Sequence, residues 1–246
     1  MKPKSNPEVK VCGLNAVRAL FERRPADIIR VYVTEPRIRD VGPLLRWCAE
    51  NKKAYHVVDP EEIARVAETV HHEDLCVLAR QKPTLGLDAL VRARPSVLVL
   101  LENVRNPHNF GAVLRVCAHF GVSAVVVPSL PGKGGISTSV YRTAEGGAES
   151  VEVAEVGPLP GALQALRGIG LAVIGTSGRG RTSLYASRLP ERFVLLLGAE
   201  SEGLSRELLA ACDEVLAIPG TGAVESLNVS CAATAFLGEA WRQRVR

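Results

Sequence analysis

Ile218-Pro-Gly-Thr-Gly-Ala-Val-Glu-Ser-Leu-Asn-Val-Ser230 is the most informative stretch of this chain. Its two glycines allow the backbone to pass close to a ligand and to adopt dihedral angles that are closed to other residues. Asn228 stands where its side chain can cap a following helix, predicted over 229–242. One broad apolar face of this helix is predicted to comprise Val229, Ala232, Ala233, Phe236, Leu237, Ala240 and Trp241. A loop that enters a helix in this way presents backbone N–H donors to a polar group. The stretch therefore predicts one wall of a ligand site at the start of the last helix.

A second stretch, 102–121, reads ENVRNPHNFGAVLRVCAHFG and predicts a helix over 107–120. Asn106 can cap this helix, and Pro107 suits its first turn. The helical period places apolar side chains on one face, namely Phe110, Val113, Leu114 and Cys117, and a stripe with basic and small residues on the other, namely His108, Gly111, Ala112, Arg115 and His119. For the histidines a solvated polar face is the simpler interpretation. Arg115 is the candidate functional residue, because the small residues beside it let another backbone or a ligand come close.

A third stretch, 193–205, reads FVLLLGAESEGLS and predicts a buried strand that ends at Gly198. The acid Glu200 follows, and Ser205 can cap a short helix. Ligands of open α/β sheets bind at the carboxyl ends of strands, although an ordinary strand-to-helix loop explains this stretch equally well.

A fourth stretch, GTSGRG over 175–180, also follows a predicted strand. It lacks the order GxGxxG that dinucleotide-binding proteins use, and the chain has no GxxxxGK[ST], HExxH or GxSxG motif.

The pattern of the whole chain predicts alternating helices and strands. Helices are predicted at 13–21, 41–53, from 60, 107–120, 138–145, 158–167, 205–211 and 229–242, and strands at 28–33, 55–58, 75–78, 97–101, 124–127, 171–175, 193–197 and 215–218. This order predicts a small α/β domain over 1–82, a linker over 83–96 and a second α/β domain with a mainly parallel sheet over 97–246.

Composition sets broad limits on what the protein does. The 246 residues carry a net charge of +4, which permits a nucleic-acid partner without requiring one. The six cysteines form no CxxC pair, so we expect buried free thiols rather than disulfides or a metal site. The N-terminus lacks the apolar segment of a signal peptide, and no apolar run reaches the ~18 residues that span a membrane. A cytoplasmic protein is expected.

Together the three stretches resemble the signature motifs of the SpoU (TrmH-type) RNA ribose 2′-O-methyltransferases of the SPOUT superfamily. Stretch 102–121 is similar to E-x-V-x-[DN]-P-x-N-x-G-A-x-x-R-x-A-x-x-F-G apart from Cys117, stretch 196–205 to L-x-G-x-E-x-x-G-L-S, and stretch 218–230 to I-P-x-x-G-x-x-x-S-L-N-V-S. The resemblance implies an α/β fold with a deep trefoil knot in the C-terminal domain, S-adenosylmethionine as cofactor and a homodimer.

The first 80 residues resemble the small RNA-binding domain attached to many members of this family. Where that domain carries a His-Gln-Gly turn, this chain has His72-Glu-Asp-Leu75. Asp74 replaces a glycine, and aspartate tolerates the left-handed conformation better than most residues do. The extra domain favours ribosomal RNA over transfer RNA as the substrate.

By resemblance, the reacting centre comprises Asn109, Arg115, Glu200, Ser226 and Asn228. The cofactor-binding residues implied in the same way are Thr176, Ser177, Gly178, Leu197, Gly198, Glu200, Gly203, Ile218, Leu227 and Asn228. No metal is implied. Because a guanidinium stays protonated in proteins, we expect Arg115 to bind a phosphate or the developing alkoxide rather than to act as a base.

Two other functions remain open at this point. A nucleotide-dependent oxidoreductase would use a similar sheet, but it would need the missing GxGxxG motif. An RNA-binding or assembly factor without catalytic activity would keep the fold, but it would have no need of Asn109, Arg115, Glu200 and Asn228 together.

Overall fold

The computed structural model describes residues 7–130, 135–199 and 202–245. In chain order the elements are β1 (Glu8–Cys12), α1 (Leu14–Arg23), β2 (Ile28–Val33), α2 (Gly42–Glu50), β3 (Ala54–Val57), α3 (Pro60–Ala67), β4 (Leu75–Arg80), α4 (Leu87–Ala93), β5 (Val97–Glu102), α5 (Pro107–His119), β6 (Ala124–Val127), α6 (Thr138–Ala144), α7 (Gly147–Ser150), β7 (Glu152–Glu155), α8 (Leu159–Gly168), β8 (Ala172–Thr176), β9 (Thr182–Ser183), β10 (Phe193–Gly198), α9 (Arg206–Ala210), β11 (Glu214–Ala217) and α10 (Val229–Arg244). Short 3₁₀ helices cover Pro25–Asp27, Glu35–Val41 and Leu184–Ala186. None of the helices described is long and apolar enough to cross a membrane.

The chain divides into two compact units, and the first contains residues 1–83 and 132–150. Its sheet has the order β1-β4-β2-β3, in which β2 and β3 are parallel and the other neighbours are antiparallel. β1 was not predicted, because a five-residue strand with two charged side chains gives a weak alternating signal. The turn after His72 has the expected form: Asp74 adopts a left-handed φ of 60°, and its N–H donates to His72 Nδ1 over 3.0 Å.

Segment 135–150 belongs to the first unit, although it lies in the sequence between two strands of the second unit's sheet. Its α7 carries Glu149, whose carboxylate binds the Arg24 guanidinium through two contacts of 2.7 and 2.8 Å. Burial alone would lower the pKa of Arg24, but the hydrogen bond and charge of Glu149 outweigh it and raise that pKa. Gln81 Nε2 also donates to the carbonyl of Ile136 over 3.2 Å. The predicted domain boundaries at 82 and 97 placed this segment in the second domain. Sequence order alone does not indicate that a segment between two strands of one sheet packs with the other unit.

The second unit contains residues 84–131 and 151–246 and is built on a parallel sheet of order β7-β6-β5-β10-β8-β11-β9. The continuous apolar runs of β5 and β10 are buried and lie side by side at its centre, as their composition predicts. Residues 84–96 of the predicted linker are part of this unit. Leu85 bridges to Ala154, and α4 contributes Leu90 to the core. The α/β class predicted from the sequence is confirmed.

Candidate active site

Four neighbouring strands of the second unit end at one edge of its sheet. The chain runs outward from β5 to β6 and β7, and later strands return on the other side of β5, so the strand order reverses between β5 and β10. Ligands of open α/β sheets bind outside the carboxyl ends of strands at such a reversal. The loops after β5, β8, β10 and β11 all start there.

A cavity of about 620 Å³ lies among the loops that follow β8, β10 and β11. It is lined by Thr176, Ser177, Gly178, Gly180, Arg181, Ser183, Leu197, Gly198, Ala199, Gly203, Leu216, Ala217, Ile218, Pro219, Gly220, Thr221, Gly222, Val224, Glu225, Ser226, Leu227, Val229, Ala232 and Phe236. Its size falls within the range of small-molecule and cofactor sites.

Glycines permit the close approach of these loops. A Cβ on Gly198 would lie 2.1 Å from the carbonyl carbon of Gly203, and a Cβ on Gly178 would lie 3.1 Å from the carbonyl oxygen of Glu225. The chain returns on itself after β10, where the N–H of Gly203 donates to the carbonyl of Ala199 over 2.8 Å. The cavity wall is therefore backbone at these points, with C=O and N–H groups within reach of a ligand.

Hydrogen bonds at the strand ends hold the loops in place. The Thr176 hydroxyl donates to the carbonyl of Leu196 over 2.9 Å, which ties the end of β8 to β10. Glu102 Oε2 accepts from the N–H of Ser205 over 2.7 Å and so joins the end of β5 to the start of α9. Ser205 caps α9 through the N–H of Leu208, as predicted. Glu102 thus has a positioning role that the sequence did not single out.

Helix α5 starts as predicted, with Asn106 accepting from the N–H of His108 and Pro107 in the first turn. The apolar face is buried, and the exposed residues of the opposite stripe are His108, Arg115 and His119. Gly111 was predicted on that stripe but is buried, and its lack of a side chain suits the close packing of α5 against α10.

One hydrogen bond joins the first stretch, 218–230, to the second, 102–121. Asn228 Nδ2 donates to Asn109 Oδ1 over 3.0 Å. The Oδ1 of Asn228 accepts from the N–H of Ser230 over 2.9 Å, so the predicted cap of α10 is present as well. The same side chain therefore caps one helix and binds the first turn of another.

A second cavity, of about 260 Å³, lies at the start of α5. It is lined by Asn103, Val104, Arg105, Asn106, Asn109, Ala199 and Val229. Ala199 and Val229 line both cavities, so the two spaces adjoin.

The predicted site residues do not all lie in one place. Eight of the implied cofactor-binding residues line the larger cavity, namely Thr176, Ser177, Gly178, Leu197, Gly198, Gly203, Ile218 and Leu227, and so does Ser226. Asn109 lines the smaller cavity and binds Asn228. Arg115 is exposed on α5, six residues and ~9 Å along the helix axis from Asn109, and lines neither cavity. Glu200 lies outside the described residues.

Several lining residues were not predicted as site residues. Arg181 and Ser183 follow the GTSGRG stretch, and its return toward β11 brings them to the cavity. Ala232 and Phe236 were predicted on the core face of the last helix. Both lie in the N-terminal half of α10 and line the larger cavity. On the smaller cavity the sequence missed Asn103 and Arg105, which the spacing of the motif leaves unspecified.

The last helix departs from its predicted apolar face at Trp241. This side chain is 49% exposed, whereas Val229, Ala233, Phe236, Leu237 and Ala240 are buried. Val224 and Leu227, in the loop that lines the larger cavity, are also exposed. Three apolar side chains of this region thus face away from the core of the protomer.

The described residues contain no cluster of three or more His, Cys, Asp or Glu side chains that would hold a metal ion.

Comparisons with known proteins extend over nearly the whole chain. The model of the SpoU rRNA methylase family matches residues 96–238, and the model described as RNA 2′-O ribose methyltransferase substrate binding matches residues 10–85. A protein of Escherichia coli O157:H7 named uncharacterized tRNA/rRNA methyltransferase YfiF is 40% identical over 242 residues, which cover 96% of this chain and 68% of that protein. The 23S rRNA (guanosine-2′-O-)-methyltransferase RlmB of Vibrio cholerae is 34% identical over 245 residues, covering 96% and 97% of the two chains.

Among solved structures, the SpoU methyltransferase AviRb from Streptomyces viridochromogenes, in complex with AdoMet, superimposes with a TM-score of 0.80. The alignment covers 97% of this chain and 91% of AviRb at 23% identity, so it bears on the fold alone.

Proposed function

The chain belongs to the SpoU family of rRNA methylases, and from this premise we propose that it transfers a methyl group from S-adenosylmethionine to a ribose 2′-hydroxyl of ribosomal RNA. A substrate in 23S rRNA is favoured, because a relative that aligns over nearly its full length is named for that RNA. Family membership argues against both the oxidoreductase and the purely binding alternative.

One observation of the structure carries the proposal: three separate loops meet around one cavity at the carboxyl edge of the sheet. The loops after β8, β10 and β11 surround the larger cavity, and Asn228 ties them to Asn109 on α5. An enzyme that joins a donor to an acceptor needs two adjoining binding spaces, and the two cavities share Ala199 and Val229.

The larger cavity suits S-adenosylmethionine. Leu197, Ile218 and Leu227 offer apolar surface to an adenine ring, and the glycine-rich loops expose backbone donors and acceptors to its polar edge. We propose that the cofactor is held by these three residues with Thr176, Ser177, Gly178, Gly198, Gly203 and Asn228, and by Glu200. When bound, the cofactor supplies a methyl group activated by a positively charged sulfur.

The task left to the protein is to align the acceptor and to manage charge. We assign Asn109, Asn228 and Ser226 to holding the acceptor ribose. Arg115 binds the phosphate beside it, or the 2′-oxygen as it loses its proton to a phosphate oxygen or to water. Glu200 orients Arg115 or Asn109.

A homodimer is part of the proposal. Val224, Leu227 and Trp241 are exposed apolar side chains close to the larger cavity and on α10, and a second copy would cover them. Sedimentation should give the mass of two chains, and Trp241→Glu should shift it toward one. A cytoplasmic location follows from an RNA substrate and from cysteines that remain free.

Residues 1–82 are proposed to bind RNA, since a model for substrate binding matches 10–85, and residues 97–246 to carry the methyl transfer. Transfer RNA is the second candidate substrate, because the relative at 40% identity is named for both tRNA and rRNA.

The test is transfer of label from tritiated S-adenosylmethionine to total RNA of a strain that lacks the gene. We expect label in large ribosomal RNA and, after alkaline hydrolysis, in resistant dinucleotides, because a methylated 2′-oxygen cannot attack its own phosphodiester. Label in mononucleotides would contradict ribose methylation, and label confined to the tRNA fraction would overturn the rRNA assignment.

A further inference from the structure

The smaller cavity differs from the larger in the chemistry of its lining. Among the residues that the structure describes, its polar side chains are three carboxamides (Asn103, Asn106 and Asn109) and one guanidinium (Arg105), with no carboxylate. Carboxamides both donate and accept hydrogen bonds, which suits hydroxyl groups, and a guanidinium fork matches the geometry of a phosphate. The nearest acid along the chain, Glu102, is bound to the N–H of Ser205.

The backbone that lines this cavity adopts an unusual conformation at Asn103. Its φ of 59° lies in the left-handed region, which asparagine tolerates better than most residues other than glycine. This conformation turns the chain at the end of β5 so that Asn103, Arg105 and Asn106 all line one space within four residues. Unusual backbone angles of this kind concentrate at functional sites.

The two cavities share lining residues, and this bears on which group the smaller cavity would bind. Among the described residues, Ala199 and Val229 line both cavities, and both have short side chains. A group in the smaller cavity would therefore lie next to a donor in the larger one. The smaller cavity, of about 260 Å³, has less than half the volume of the larger, of about 620 Å³.

We propose that the smaller cavity receives the sugar and phosphate of the acceptor nucleotide, with Arg105 as the residue that binds its phosphate and so positions the ribose. The inference rests on the proposed function and adds a positioning residue that the motifs leave unspecified. Arg105 contributes to the affinity for RNA and not to the affinity for S-adenosylmethionine.

The experiment measures RNA binding without methyl transfer, over a series of salt concentrations, for wild type, Arg105→Ala and Arg92→Ala. Arg92 is a matched control because it is an exposed arginine on α4 of the same unit. The probe is 23S rRNA transcribed in vitro. Loss of one phosphate contact should raise the dissociation constant about tenfold and reduce the slope of log K against log salt by about 0.7 to 0.9.

Arg92→Ala should bind as wild type does, and all three proteins should bind S-adenosylmethionine equally in calorimetry. In steady state, Arg105→Ala should raise KM for RNA with little change in kcat. Arg105→Lys should keep the salt slope and recover part of the affinity, because it keeps the charge and loses the fork.

Three results would overturn the inference. These are an unchanged salt slope in Arg105→Ala, an equal loss in the Arg92→Ala control, and a parallel loss of donor binding that marks Arg105 as merely structural. A wild-type protein that binds RNA but never methylates it would defeat the proposed function instead, and the salt slopes would still decide the role of Arg105.

Discussion

Asn228 and Asn109 are joined by a hydrogen bond of 3.0 Å although 119 residues separate them in the chain. Asn228→Asp keeps the oxygen that caps α10 but replaces the donor N–H with an oxygen that faces Asn109 Oδ1. We expect the methylation rate to fall about 10- to 100-fold, in line with one lost hydrogen bond at a reacting centre and the repulsion that replaces it. Single-turnover assays measure this rate.

Asn228→Ala is the companion variant, since it removes both the cap and the donor. It should cost about 1 kcal/mol more stability than Asn228→Asp in urea unfolding. If Asn228→Asp methylated RNA at the wild-type rate, capping of α10 would be the only role left for Asn228.

Arg115→Lys tests whether the fork of the guanidinium matters. The change keeps a positive charge on the exposed face of α5 but loses the planar pair of donors. We expect at least a tenfold lower rate at saturating RNA, with unchanged affinity for S-adenosylmethionine. Arg92→Lys, on α4, should have no effect. A wild-type rate in Arg115→Lys would show that charge alone suffices.

Gly198→Ala should damage the larger cavity. The added Cβ would lie 2.1 Å from the main chain of Gly203 and 2.5 Å from the nitrogen of Leu204, so the returning loop has to move. We expect donor affinity to fall by more than tenfold in calorimetry and the thermal midpoint to drop. Gly157→Ala serves as the control, because a Cβ there meets nothing within 4 Å. Full donor binding by Gly198→Ala would mean that the 198–203 loop is not part of the site.

Glu149→Gln should destabilise the first unit. The Glu149 side chain is 1% exposed and binds Arg24 through two contacts, so the neutral variant leaves a largely buried guanidinium with Asp27, 3.3 Å away, as its remaining counter-charge. Removing one partner of a buried pair costs up to about 3–5 kcal/mol, and Asp27 should hold the loss toward the lower end of that range. Hydrogen exchange of amides in β1, β2 and β4 reports this loss within the unit.

The exposed pair Arg37–Asp40 offers a control for that measurement. Asp40→Ala should cost about 0–1 kcal/mol, because water screens the interaction. Similar losses in both variants would contradict the importance assigned to Glu149.

The cysteines should differ sharply in their reaction with iodoacetamide. Cys231 is exposed, so it should be modified first, and Cys231→Ser should abolish the fast phase. Cys212 is half-buried, and burial raises its pKa to about 11. Only the thiolate reacts, so at pH 8 about one Cys212 in a thousand is reactive, and its rate should rise about tenfold for each pH unit up to 10.

The remaining four thiols are buried, and mass spectrometry should find them unmodified in the folded protein. Burial raises the pKa of Cys117 as well, which adds to its protection. Fast modification of Cys117 at pH 8 would mean that α5 opens readily.

Much of the second unit was predictable because its strands are continuous apolar runs and its helices carry recognisable caps. Asn106, Ser205 and Asn228 each mark a helix start that the structure contains. The cavity lining was predictable where a motif named the residue, as with Gly198 and Ile218. Arg105 was missed because it occupies a position that the motif leaves open.

Other features have no local signal in the sequence. Trp241 has the spacing of a core residue on α10, yet it is exposed. Helical periodicity identifies the apolar face of a helix, but it does not say how much of that face packs against the rest of the chain. The trefoil knot is a prediction of the family resemblance alone, since strand spacing carries no information about which loop a chain threads.

The membership of α6 and α7 in the first unit has a consequence for how the protein is made. A ribosome makes β1 to β4 early, but the partner of Arg24 and the helix that packs on β1 are complete only when residue 150 has been synthesised. By then β5 and β6 of the other sheet have already been synthesised. The first unit therefore cannot be completed before part of the second has been made, and a chain truncated at residue 83 would lack α6, α7 and the Glu149–Arg24 ion pair.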